Sequence, residues 1–218
     1  MFDVLGSHHL LPDLPRLLTF ALASFALNVT PGADMAFVAA TSARSGTRSG
    51  VAAALGVGAG SLVHLAAAVV GLSALIASSQ TAFTVLKWAG AAYLIYIAVS
   101  MLRGGPSQAK VSDPPRSAGA LFRSGALVNV MNPKVGLFFI AFLPQFVDRV
   151  PEVAAVQTFL LGLWFNACGT GVLVIVALVA ARAAAGLRGA RAVGQAARWL
   201  AATIMGALAI KLATSDNR

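Results

Sequence analysis

Asp34 and Lys134 are the acidic and the basic residue that fall deep inside long apolar stretches of this 218-residue chain. An ionisable group at membrane depth is costly, and by default it marks a functional site with a partner to be named. Each follows a proline closely. The first stretch reads Asn28-Val29-Thr30-Pro31-Gly32-Ala33-Asp34, the second Asn129-Val130-Met131-Asn132-Pro133-Lys134. Proline lacks an N–H and clashes with the preceding turn, so each apolar helix breaks there. Thr30 and Asn132 are good N-caps and proline suits the first helical position, which predicts a new half-helix starting at each proline. Such a start carries free N–H donors and partial positive charge, and two of them meeting near the midplane suit a carboxylate. Asp34 suits an ammonium, and Lys134 a carboxylate. Asn28, Thr30, Pro31, Gly32, Asp34, Asn129, Asn132, Pro133 and Lys134 therefore read as a substrate site for a molecule bearing both groups, an amino acid. The competing reading pairs Asp34 with Lys134 as a structural ion pair that fixes the packing of two halves.

The elements that position these residues follow from composition. Hydrophobic residues make up 58% of the chain and charged ones 11%, with a mean hydropathy of +0.82. Soluble domains carry about 25% charged residues, so a water-soluble fold and disorder are both excluded. Residues 51–77 and 153–181 contain no Asp, Glu, Lys or Arg, and each exceeds the ~20 residues that cross hydrocarbon. A third span is expected over 81–102 and a sixth over about 196–213, while the interrupted stretches 16–42 and 121–146 supply the first and fourth. The fold class is an all-α integral membrane protein of six transmembrane helices in a single domain, 1–218.

The net charge of +9 is distributed between the spans. Arg44, Arg48, Arg103, Lys110, Arg116, Arg123, Arg182, Arg188, Arg191 and Arg198 fall on one side, and Arg16, Lys87, Arg149, Lys211 and Arg218 on the other. The positive-inside rule puts the larger group in the cytoplasm and both termini outside. The segment 104–118, with Gly104-Gly105-Pro106 and Pro114-Pro115, is a cytoplasmic linker between a three-helix repeat over 15–103 and another over 119–213. Three spans per half give opposite orientations, the inverted repeat of many transporters. Aligning Pro31 with Pro133 gives an offset of 102 and pairs Thr30 with Asn132. The N-terminal Met1–Arg16 carries Asp3 and Asp13 and reads as a tail, not a signal peptide.

Other features carry weaker chemistry. Gly56-Val57-Gly58-Ala59-Gly60 lacks the strand–turn–helix context of a dinucleotide site and reads as a small-residue packing face. Such faces also leave a homodimer as an expectation. His64 and Asn166 are candidates for a cavity lining or proton relay, or for hydrogen bonds between helices. His8 and His9 have no cluster of partners, and no metal site or cofactor is expected. The single Cys168 excludes a paired-cysteine oxidoreductase, and no Ser–His or paired-Asp site suggests a protease, so the chain is not read as an enzyme. Basic residues between spans, with no aromatics interleaved, do not point to nucleic acid. Trp88, Tyr93, Tyr96, Trp164 and Trp199 read as interface or packing aromatics.

Thr30-Pro31-Gly32-Ala33-Asp34 with Phe37-Val38, the run Leu86-Lys87-Trp88-Ala89-Gly90-Ala91-Ala92-Tyr93-Leu94, and Asn132-Pro133-Lys134 through Phe142-Leu143-Pro144-Gln145-Phe146 together resemble the lysine exporter (LysE/RhtB) family. That family includes homoserine, threonine and leucine exporters. The resemblance covers nearly the whole chain; Ala33 stands where many relatives carry another proline. It implies a secondary transporter in the bacterial inner membrane that exports amino acids or derivatives, driven by proton antiport. One deep Asp and one deep Lys suit a neutral amino acid better than a dibasic one. The alternatives are an exporter of another small solute or cation on the same architecture, or a non-transporting membrane scaffold.

Overall fold

The computed structural model describes residues 11–78, 117–148 and 150–185, together with Val85 and Trp88. The spans expected over 81–102 and 196–213 and most of the 104–118 linker lie outside the described residues, as do His8, His9, Lys87, Tyr93, Tyr96 and Trp199. The described residues form helices and turns, with no strand among them.

Helix α1 spans Leu14–Val29. Asp13 caps it, Oδ1 accepting from the Arg16 amide at 2.9 Å, and Pro15 stands in the first turn, where no N–H is missed. The helix stops where residue 30 precedes a proline: Thr30 is extended (φ −67°, ψ 122°), as steric conflict with the proline ring requires. Helix α2, Ala33–Ser45, resumes at 48° to α1. It ends at Gly46, whose φ of 81° lies in the left-handed region that glycine enters freely. Helix α3 follows at once, Thr47–Ser78. Its stretch Thr47–Gly71 has 25 residues, about 37 Å at 1.5 Å per residue, longer than a hydrocarbon core of roughly 30 Å.

Helix α4, Ala118–Val130, is capped by Ser117, whose hydroxyl accepts from the Ala120 amide. After a break at Met131–Asn132, helix α5 (Pro133–Leu137) runs on through a π turn, Phe138–Phe142, and a 3-10 turn, Leu143–Phe146. The two segments are bent by 51°. Helix α6, Pro151–Ala184, is long and apolar, and Val153–Ala184 is sufficient to cross a membrane. Among the described residues, two helices thus have the length and composition of spans, or four if each bent pair counts as one.

Lipid is as apolar as leucine, so helices in a membrane associate through close packing and hydrogen bonds. Both devices are present. A Cβ on Gly56 or Gly125 would collide with the Phe122 or Ala53 carbonyl, and one on Gly60 would stand 2.5 Å from Ala126 O. The packing reading of Gly56 and Gly60 is therefore correct, and α3 and α4 cross with their backbones nearly touching. Phe20, Phe138, Phe139, Phe142, Phe146 and Phe165 stack into one aromatic core joining α1, the α5 segment and α6, with Phe138 and Phe165 centroids 4.1 Å apart. A second core packs Phe37 and Val38 against Ala53, Ala54, Leu173 and Ala177. Leu18, Leu22, Phe25, Val63, Val70, Trp164, Ile175 and Val179 face outward, which suits a lipid-covered surface.

Candidate functional site

A cavity opens where the two breaks meet the long helices, bounded by residues of both cores. Asn28 and Thr30 come from the end of α1, Asp34 and Met35 from the start of α2, Asn129 from the end of α4, and Lys134 and Val135 from α5. Of the residues singled out in the sequence, Asn28, Thr30, Asp34, Asn129, Lys134 and Asn166 line it. Pro31, Gly32, Asn132 and Pro133 shape the breaks instead. His64 stands behind the lining. Its Nε2 lies 3.1 Å from Asn129 O and, facing a carbonyl, must carry the hydrogen. Its ring stacks on Phe139 at 6.3 Å. Gly136 makes room for it, since a Cβ there would lie 3.2 Å from His64 Cε1.

The two breaks hold one another crosswise. Asn129 Nδ2, just before the second break, donates to Asp34 Oδ2, just after the first, at 2.9 Å. Lys134 Nζ, just after the second break, donates to Leu27 O at 3.2 Å and Thr30 O at 3.1 Å. Those carbonyls belong to the end of α1, where helical partners run out. Asp34 and Lys134 act on one another's charge, but without a direct salt bridge: each is held instead by uncharged groups of the opposite break. The physical reason is local. The break at Pro31 exposes carbonyls beside Lys134, and Asn129 reaches Asp34 first.

A second expectation also needs correction. Asn132 caps the helix that begins at Pro133, its Oδ1 accepting from the Lys134 amide at 3.0 Å. Thr30 plays no such part. Its hydroxyl turns back to Ala26 O at 2.6 Å, Pro31 belongs to the extended link, and α2 starts at Ala33 with Gly32 as a cap that makes no side-chain bond. The two half-helix starts therefore differ. At α5 the Lys134, Val135 and Gly136 amides are all taken up by Asn132. At α2 the first amide paired along the helix is that of Ala36, to Gly32 O, so the starting amides of α2 stay available. Lys134 Nζ sits at this same point, 3.2 Å from where a Gly32 Cβ would be.

Three buried polar atoms on cavity-lining residues have no partner at hydrogen-bond distance, Asp34 Oδ1, Asn129 Oδ1 and Ser61 Oγ, although the Asn132 side-chain amide lies beside the Asp34 carboxylate. Because Asn129 Nδ2 is committed to Asp34, Oδ1 is its remaining acceptor. The site thus offers a carboxylate oxygen and an amide oxygen as acceptors. An ammonium with one unspent N–H and an uncapped helix start are its donors. Asn28 is held by its Nδ2 on Phe165 O at 3.2 Å. Composition and spacing did not single out Ser61, Gly169 or Thr170, and named Gly58 only within a packing run. The signal was the recurrence of small or polar residues at helical spacing within otherwise apolar α3 and α6.

The chain matches the model of the LysE type translocators over residues 25–216. It is 34% identical to the homoserine/homoserine lactone efflux protein of Salmonella typhimurium over 172 residues, 78% of this chain and 82% of that protein. It is 33% identical over 137 residues to an uncharacterized membrane protein of Vibrio cholerae, 62% and 67% of the two chains. A further uncharacterized membrane protein, from Bacillus subtilis, is 35% identical over 154 residues, 63% of this chain and 73% of that one. No solved structure matches. The family model spans the breaks and both long helices, and that family and the Salmonella relative are transporters, not enzymes: the chain belongs to the LysE type translocator family.

Proposed function

We propose that this protein exports a neutral amino acid or a close derivative from the bacterial cytoplasm in exchange for protons. The observation that supports this most is the pair of opposite, unspent groups around one cavity: Asp34 Oδ1 with Asn129 Oδ1, and Lys134 Nζ with the uncapped start of α2. The ammonium of the substrate takes the two oxygens. Its carboxylate takes the third N–H of Lys134, two being spent on Leu27 O and Thr30 O, and the free amides of α2. Lys134 stands at the positive end of a helix dipole, so a bound anion relieves a repulsion as well as making hydrogen bonds. The Salmonella relative, a homoserine/homoserine lactone efflux protein, agrees in class.

Proton coupling follows from the same carboxylate. Oδ1 of Asp34 holds either the substrate ammonium or a proton, not both. On the outer side a proton displaces the ammonium, and on the inner side the proton leaves and the next substrate binds. This requires alternating access, which fits six spans in two inverted repeats of three, each opening with a span broken at Pro31 or Pro133. Both termini then face outward, the linker faces the cytoplasm, and the chain resides in the inner membrane. Small-residue faces beyond the α3–α4 crossing suit a homodimer.

A second reading has its own observation. Lys134 caps the end of α1, which a purely structural role would also explain. Efflux from exporter-deficient bacteria preloaded with dipeptides separates the two. The proposal expects one or a few neutral amino acids to leave several-fold faster with the protein than without it, and faster at acidic external pH. No accelerated release of any amino acid refutes it.

A further inference from the structure

The acceptors Asp34 Oδ1 and Asn129 Oδ1 and the donors near Lys134 account for the ammonium and carboxylate common to every α-amino acid. They leave one buried atom of the cavity unexplained, Ser61 Oγ. Ser61 is 4% exposed, and its hydroxyl makes no hydrogen bond. A serine inside a helix ordinarily satisfies itself on the carbonyl four residues back, here Val57 O. Leaving the hydroxyl unsatisfied in an apolar interior is costly, so the position calls for a partner.

The packing of α3 against α6 places a second polar residue beside it. A Cβ on Gly58 would stand 2.5 Å from Thr170 Oγ1, and Gly162 of α6 packs on Leu65 of α3. Seven residues forward on α3 thus correspond to eight residues back on α6, and the helices run antiparallel. Ser61, three residues beyond Gly58, falls level with Asn166, four residues before Thr170. Both line the cavity, and Asn166 is half-buried. Gly58 and Gly169 hold space on either side, for Thr170 Oγ1 and Asn28 Oδ1 respectively.

We infer that Ser61 and Asn166 are the specificity-determining pair that reads the substrate's side chain. They favour a short side chain ending in a hydrogen-bonding group over an apolar one of equal length. The inference rests on the proposed amino-acid site. A polar substrate group satisfies Ser61 Oγ, whereas an apolar one leaves it buried and unpaired, and sites built on that asymmetry discriminate strongly.

The test is competition between L-homoserine and L-norvaline, in which a methyl replaces the hydroxyl, in proteoliposomes holding the full chain. The ratio of their initial transport rates is measured on one sample, so it does not depend on the amount of folded protein. The native protein is expected to favour homoserine several-fold, up to about tenfold, the factor of one net hydrogen bond. Ser61→Ala is expected to lower that ratio several-fold. Asn166→Ala serves as the independent second variant and is expected to move the ratio the same way. A native protein that transports both equally, or ratios unchanged in both variants, overturns the pair's role while the amino-acid site stands. Transport of neither compound, nor of any other neutral amino acid, overturns the site and the inference together.

Discussion

Lys134 and Thr30 meet across the two breaks: the lysine ammonium donates to the threonine carbonyl at 3.1 Å. With its second bond to Leu27 O, this makes Lys134 the C-terminal cap of α1, supplied from the other half of the chain. A carbonyl at a break in a membrane helix has no water to turn to and must be satisfied by protein or a cavity. Replacing Lys134 by Met removes that cap and leaves Thr30 O unsatisfied, while Leu27 O keeps its bond from the Thr30 amide at 3.2 Å. The expected loss is about 1–3 kcal/mol per unsatisfied group, seen as a lower melting temperature in detergent together with lost transport. A variant that keeps native stability but loses transport would assign Lys134 to the substrate alone.

Asn129 holds Asp34 from the other side, and its side chain is pinned by that bond. Asn129→Ala removes both the pin on Oδ2 and the neighbouring acceptor Oδ1. Its half-saturation concentration for substrate is expected to rise about tenfold, one net charge-assisted hydrogen bond, with little change in maximal rate. Measuring efflux against internal substrate concentration separates the two parameters.

The breaks themselves were legible in the chain because their causes are local. A proline stops a helix whatever surrounds it, and Asn132 followed by proline makes its own cap. The first break went differently by two residues because the Thr30 hydroxyl turns back to Ala26 O, whereas the equally extended Asn132 turns its side chain forward onto the next helix. That choice between two nearby cap positions depends on which backbone groups lie beside it in space. Asp34 and Lys134 interact, as their depth implies, but that they do so without a direct salt bridge was hidden for a related reason. Sequence sets how deep each charge lies, but not which of Asn129, Leu27 O or Thr30 O stands closer. Ser61 was missed because its unpaired hydroxyl becomes visible only once the register of α3 against α6 is known.

Glycine substitutions separate packing from solvation. Gly56→Ala drives a methyl into the Phe122 carbonyl, where neither backbone can yield. It is expected to abolish accumulation in the membrane, or to cost about 3 kcal/mol if the protein survives. Gly71→Ala meets nothing within 4 Å and is expected to match or slightly exceed native stability. Fluorescence size-exclusion profiles after graded heating compare the two directly.

At the end of the molecule near α1's start, Gln157 is fully buried and binds both the Asp148 amide, at 2.8 Å, and Asp148 Oδ2, at 3.0 Å. The exposed Arg16–Asp148 contact at 3.2 Å adds little, since surface pairs contribute about 0–1 kcal/mol. Gln157→Leu is therefore expected to destabilise by about 1–3 kcal/mol, and Arg16→Ala by less than about 1 kcal/mol. Paired thermal melts in detergent check the order, and equal losses would reverse this assignment.

On the proposed function, Asp34 carries the substrate ammonium and the exchanged proton in turn. Asp34→Asn keeps the shape and the contact to Asn129 but holds neither charge nor proton. Efflux from dipeptide-loaded cells, with native and variant proteins at matched membrane abundance, tests this most directly. Release by the variant is expected at the level of cells lacking the protein. Release at the native rate would contradict that role.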